Sequence, residues 1–251
     1  MTFSVPSMVD EIVVYCVREW RMLVRHGAIP FAVIAIATLL LPRYFTQEST
    51  TTDKALGAAL VAAQLLVCLP MVVTWYRMIV LGKDEAAHRP LFAFGAREWR
   101  LLGWQIVVML VGMAIFIAAA IVLAGVYYVL GQGVLAIMLC IALGLAGVLF
   151  ALAIINRISF VFALAATDQP VSLRASWDMT RGLTWPLLWT LSIIGLGETI
   201  VVFVGDLIGG IAAAAIHGAA TVFAFAAMAT MFGFVFVRIR DGQPLTAPKP
   251  A

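Results

Sequence analysis

Residues 97–130 read REWRLLGWQIVVMLVGMAIFIAAAIVLAGVYYVL, a charged and aromatic tetrad followed by a run, 101–130, that contains no Asp, Glu, Lys or Arg. About 20 consecutive apolar residues suffice for a helix to cross a hydrocarbon core ~30 Å thick. This stretch therefore predicts a membrane-spanning helix, and its excess length puts one end in the interface. The rest of the chain agrees. It is 64% hydrophobic and 12% charged, against about half and about a quarter in soluble domains.

Five further apolar runs lie at about 24–42, 55–76, 134–156, 184–206 and 211–237. The run at 24–42 carries Arg25 and Pro30 in its opening turn, and Pro42 is expected to end it. Six spans make an all-α polytopic membrane protein, a single integral membrane domain over 1–251. With the N-terminus in the cytoplasm, fourteen of the sixteen lysines and arginines fall on that side, and only Arg43 and Lys54 on the other. That bias predicts cytoplasmic N- and C-termini. The first run begins near Ala28, after acids as well as bases and without a small-residue cleavage pattern, so a cleaved signal peptide is not expected.

The tetrad REWR occurs twice, at 18–21 and 97–100, each time before a long apolar run. It belongs to a longer pattern. The even-numbered spans end in Arg77, Arg157 and Arg238, and short polar stretches then lead to Pro90-Leu91, Pro170-Val171 and Pro244-Leu245. Tryptophans with charged neighbours, Trp20, Trp99 and Trp177, precede the odd-numbered spans in REWRML, REWRLL and RASWDMTRG. The spacing predicts three parallel two-span repeats, about 8–84, 88–165 and 168–242, each an amphipathic interfacial helix, an outward span, an inward span and an arginine. Any symmetry axis among them runs along the membrane normal.

In the first such helix, Val9, Ile12, Val13, Cys16, Val17, Trp20, Leu23 and Val24 follow the spacing of one helical face. Ser7 with Asp10 offers a start for it. A helix of this kind lies in the membrane surface. There a tryptophan ring seats at headgroup depth while flanking bases reach lipid phosphate, each contributing on the order of 1 kcal/mol near an anionic surface. Arg18, Trp20, Arg21, Arg97, Trp99, Arg100, Trp177 and Arg181, with the span-ending Arg77, Arg157 and Arg238, are thus candidates for binding lipid or a partner protein. The simpler reading is that these residues only anchor the spans.

Glu198 lies about 22 Å into its span, counted from Leu183 at ~1.5 Å per residue, where an ionisable group is costly and marks a candidate functional site. Gln64, Thr190 and Ser192 are its expected polar partners. Asp206 and His217 flank the outer turn between the last two spans, with Gly209-Gly210 for the turn itself. Gly205, Gly209, Gly210, Ala214 and Gly218 recur at four-residue spacing, which allows close packing of the last two spans.

The scattered His26, His88 and His217, and the unpaired Cys16, Cys68 and Cys140, predict neither a metal site nor a disulfide framework. The sequence has no phosphate-binding glycine loop with its lysine, no HExxH and no nucleophile elbow. Catalytic residues and cofactors are therefore not expected. Bases that flank membrane spans point to anionic phospholipid and not to nucleic acid.

TWYRMIVLGKDEAAHRPLFAFGAREWRLLGW (74–104) and SLRASWDMTRGLTWPLL (172–188) are similar to bacterial six-span inner-membrane proteins related to the membrane domain of glycerophosphoryl diester phosphodiesterases. The resemblance spans most of the chain and implies a bacterial inner-membrane protein that supports lipid or envelope homeostasis. No phosphodiesterase domain is present, so that activity does not carry over. The expected function is a non-enzymatic organiser of lipids or of a partner protein at the cytoplasmic face. The alternative is a small transporter or lipid-moving protein with a polar site near Glu198.

Overall fold

The computed structural model describes residues 4–44, 46, 50–90, 92–131, 133–243 and 245, and within its helices leaves the side chains of residues 86, 87 and 136 aside. Leu91 and Pro244, two of the repeat positions, lie outside the described residues. The chain forms ten helices there: α1 (Val5–Arg18), α2 (Trp20–Tyr44), α3 (Thr51–Leu81), α4 (Lys83–Ala87), α5 (Ala96–Leu130), α6 (Val134–Ile158), α7 (Val161–Ala166), α8 (Leu173–Met179), α9 (Thr184–Ile208) and α10 (Gly210–Arg240). Six helical stretches are long and apolar enough to cross a membrane, namely α2, α3, α5, the stretch Ile137–Ala166, α9 and α10. They coincide with the six runs read from the sequence.

Boundaries differ in instructive places. Pro42 does not end the first span, because α2 continues through both Pro30 and Pro42 to Tyr44. Ser7 does not start the first helix either: α1 begins after Ser4, with Pro6 in its first turn, where a missing amide hydrogen leaves no bond unmade. An amphipathic helix was expected before each odd-numbered span, and the three places differ from one another. α1 breaks at Glu19 and hands over to α2. The second tetrad lies in the opening turns of α5 itself, whose 35 residues are the longest helix among those described. At the third place stands α8, only 7 residues long.

α1 does not lie free on the surface. Met8, Ile12 and Cys16 are fully buried against the bundle. Tyr15, on one side of that face, meets Phe234 edge-on with ring centroids 5.1 Å apart, and Glu11 reaches Arg238. Val9 and Val13, on the other side, share a groove with Phe223 and Ala224, nearer the other end of α10. Contacts of opposite helix edges with opposite directions along α10 mean that α1 crosses it. Val17, Trp20 and Val24, counted on the same apolar face, are exposed.

Neighbouring spans pack within each pair, α2 on α3, α5 on α6 and α9 on α10, and between pairs, α3 on α5, α6 on α9 and α10 on α2. α10 also touches α3 across this ring, so it occupies the centre, with Ala226, Ala227, Ala229, Met231 and Val235 fully buried. A buried polar node holds this centre. Thr230 accepts a hydrogen bond from Trp75 Nε1 (2.8 Å) and donates one to the Ala226 carbonyl (2.7 Å), with Cys16 Sγ 3.6 Å away.

The small-residue spacing is used, but not only between the last two spans. A Cβ on Gly205 would meet Ile216 at 2.9 Å, the α9–α10 contact that was expected. On Gly218 it would meet the Phe31 carbonyl oxygen at 2.9 Å, so that glycine brings α10 onto α2 instead. The α5–α6 hairpin is the least covered part. Tyr128, Val129, Val134 and Leu135 at its tip are all more than 70% exposed.

Candidate functional site: the arginine-rich end of the bundle

The ends of α3, α6 and α10 and the starts of α5 and α9 meet in one layer. Its principal cation is Arg77, whose side chain is only 5% exposed at the end of α3. It donates to the Ala166 carbonyl (3.2 Å) and to Asp168 (3.1 Å), and it pairs with Glu85 on α4. Asp168 stands at the turn after α7 with φ +59, the one positive value among described non-glycine residues and a conformation that Asp tolerates better than most. Arg97 (2.8 Å) and Arg100 (3.4 Å) from the start of α5 reach the same carboxylate. Burial pushes the Asp168 carboxyl up, but the guanidinium groups of Arg97 and Arg77 outweigh it and hold the carboxyl below its ordinary range. The Arg77 pairing likewise keeps Glu85 low.

The other two span-ending arginines are also engaged within the protein. Arg157 lies 3.6 Å from the ring centre of Trp177 and donates to the Trp177 carbonyl (2.7 Å) and Thr180 Oγ1 (3.2 Å). Arg238 donates to Glu11 (2.5 Å) and the Leu245 carbonyl (3.0 Å). Arginine suits this task because its fork of donors satisfies several acceptors at once. These three therefore tie the layer together.

The tetrads place their residues alike. Trp20 (56%) and Trp99 (60%) are exposed, while Glu19 (6%) and Glu98 (1%) are buried. Trp177, on α8, is exposed too, and Ser176 before it is fully buried, donating to the Arg157 carbonyl at 2.6 Å. Glu19 pairs with Lys83 (2.6 Å) and Arg18 (3.1 Å). Burial raises its pKa, yet these two cations bring it below the ordinary value. Glu98 pairs with Arg89 (2.6 Å) and accepts from the Gly95 amide (2.8 Å) at the start of α5. Arg18 is exposed and Arg21 lies over the Trp20 ring at 5.8 Å. Arg181, next to α8, is exposed.

Beside α5, a cavity of about 400 Å³ is lined by Arg89, Arg97, Arg100, Glu98, Asp168 and the backbone around Gly95. A second cavity, about 220 Å³, lies within the bundle among α3, α5, α6, α9 and α10. It is mostly apolar, with Tyr76, Gln105, Asn156 and Ser159 as its polar members. Gln105 and Asn156 were not singled out from the sequence. The signal available was a lone uncharged amide at the edge of each run, which a search for charges passes over.

Glu198 lines a third space, a groove of about 450 Å³ walled by α1, α9 and α10 and otherwise apolar. Its carboxyl group faces Thr221 and His217 on α10. Gln64, half-buried on α3, is not in that groove, and Thr190 bonds back to the Pro186 carbonyl (2.9 Å), so neither is the partner the sequence suggested. Asp206 and His217 pair at 2.9 Å near the α9–α10 turn, with the Asp206 side chain exposed. No group of three His, Cys, Asp or Glu is arranged for a metal ion among the described residues. Comparison with protein-family models, curated proteins and solved structures finds no match for the chain.

Proposed function

We propose that this is a non-enzymatic multi-pass protein of a bacterial inner membrane, its termini cytoplasmic, that organises anionic phospholipid or a lipid-associated partner protein at the cytoplasmic face. The observation that carries the reading is the repeated exposure of Trp20, Trp99 and Trp177 at the arginine-rich end, each following a buried residue. Exposed tryptophan beside guanidinium fits the zone where hydrocarbon gives way to phosphate. The neighbour order of the spans is the one that three two-span units would make. The resemblance to the membrane domain of glycerophosphoryl diester phosphodiesterases points the same way.

The test is native mass spectrometry of protein released from nanodiscs of mixed zwitterionic and anionic lipid. Wild type should retain anionic lipid, and a variant with glutamine at positions 18, 21, 97 and 100 should lose it. Equal retention by both would end this reading.

The Glu198 groove supports a second reading, a small transporter or lipid-moving protein. An otherwise apolar groove with one carboxyl group suits an amphipathic solute or lipid. It requires lipid or solute flux in proteoliposomes that falls in Glu198→Gln, and flux unchanged by that substitution would exclude a role for the carboxyl group.

A further inference from the structure

The cavity beside α5 holds more donor capacity than its acids use. Arg89, Arg97 and Arg100 line it with Glu98 and Asp168, and Arg77, which pairs with Glu85, reaches Asp168 as well. Glu85 serves Arg77, and Glu98 serves Arg89 and the Gly95 amide. One carboxylate, Asp168, is left to both Arg97 (2.8 Å) and Arg100 (3.4 Å), and it is shared further with Arg77 (3.1 Å), which Glu85 already serves. Arg89 Nη1, which is buried, has no hydrogen-bond partner. A carboxylate brings one charge and two oxygens. A phosphate ester brings up to two charges and three oxygens, and planar guanidinium forks match it in pairs. Ala96 and Arg97, in the first turn of α5, line the same cavity, at the end of the helix whose dipole favours an anion.

The way Asp168 arrives is also informative. It sits on a turn between two short helices, in a left-handed conformation, and its side chain is 42% exposed. It can therefore leave the arginines without opening the core, whereas Arg77 and Glu98 cannot.

We propose that this cavity is a phosphate-ester site, that Asp168 fills it as an internal substitute anion, and that an incoming phosphate group displaces the carboxylate from Arg97 and Arg100. This deepens the reading above, resting on it only in using Arg97 and Arg100. A lipid headgroup and a soluble ester present the same phosphate chemistry to these groups, and the two probes below separate them.

The experiment uses the full chain and two probes: sn-glycerol 3-phosphate titrated calorimetrically into detergent-solubilised protein, and phosphatidic acid doped into phosphatidylcholine nanodiscs and read by native mass spectrometry. Asp168→Asn removes the competing charge and should tighten at least one probe by about tenfold or more, the scale of a lost charge-assisted contact. Arg100→Gln, on the exposed rim of the cavity, should weaken the same probe by a similar factor. Tightening with the lipid alone assigns a headgroup, and tightening with both probes assigns a site open to soluble esters. If Asp168→Asn and Arg100→Gln both bind each probe as wild type does, the site is overturned, even where the four-glutamine variant loses anionic lipid. If the phosphate probe tightens in Asp168→Asn while that variant keeps its lipid, the site stands and the lipid-organising reading falls. Thermal unfolding of each variant shows that it is folded, and Arg100→Gln carries the test where Asp168→Asn is not.

Discussion

The two REWR tetrads share four residues and differ in what surrounds them. At 18–21 the chain breaks between two helices at Glu19, and the tetrad holds a joint. At 97–100 the same letters sit inside the opening turns of a 35-residue helix. In both the glutamate turns inward and the tryptophan outward. The difference lies in the partners. Glu19 is served by Lys83 and Arg18, whose side chains are about 60% exposed, while Glu98 is served by Arg89, which is itself mostly buried. The tetrad thus sets which residue is anchored, and the surroundings set how strongly.

The largest expected difference is between the two glutamates. Glu98→Ala strands the buried Arg89 charge and the Gly95 amide, and loss of one partner from a buried pair costs about 3–5 kcal/mol. Glu19→Ala releases two cations that solvent already reaches, a change of about 1 kcal/mol. Thermal or denaturant unfolding in one detergent should therefore separate the two variants clearly. Equal losses would show that the joint at Glu19 is as tightly held as the start of α5.

Acid sharpens the difference. The Asp168 carboxyl binds protons more weakly folded than unfolded, so its contribution is complete above the unfolded pKa, about 3.9, and is lost as pH falls through the lower folded value. Its contacts are with Arg77 and with Arg97 and Arg100 of the second tetrad, whereas the carboxylate held low at the first tetrad is its own Glu19, paired with Lys83 and Arg18. Hydrogen exchange of the turn at 166–172 should stay protected down to the ordinary carboxylate range and open below it. In Asp168→Asn it should be open at neutral pH. Protection in that variant equal to wild type would mean that the turn is held by its backbone bonds, such as that from the Gln169 amide to the Leu164 carbonyl, and not by the charge.

How far the sequence carries this layer follows from the same contrast. Six spans were legible because crossing a bilayer imposes a length, and length is a local property of the chain. Arg77, Arg157 and Arg238 were legible as marks at the ends of spans. Their partners were not, because Asp168 lies 91 residues from Arg77 and Glu11 lies 227 from Arg238, distances that no periodicity encodes. Glu98 between two arginines reads as a solvated residue, and only the arrival of Arg89 makes its burial affordable. The helix before the first span was legible as a pattern of apolar residues. The break at Glu19 that separates α1 from α2, and its absence at the second tetrad, where α5 runs on, were not. Gln105 and Asn156 became visible only when α5 and α6 met around one cavity.

The smallest expected difference is between the tryptophans. Both are more than half exposed, so replacing either leaves most of the fold untouched. Trp99 also meets Phe94 edge-on at 5.0 Å, and an aromatic pair contributes about 0.5–1.5 kcal/mol beyond its buried area. Trp20 has Arg21 over its ring at 5.8 Å, an exposed contact of about 0.5–1 kcal/mol whose arginine can turn to solvent or lipid when the ring is gone. Trp99→Ala should therefore destabilise more than Trp20→Ala, by less than about 1 kcal/mol, because the aromatic pair outweighs an exposed cation–π contact. Phe94→Leu removes that neighbour and should erase the excess of Trp99→Ala over Trp20→Ala. A Trp20→Ala loss larger than that of Trp99→Ala would mean instead that the α1–α2 joint depends on its tryptophan, and that the exposed residue of the first tetrad also holds the fold.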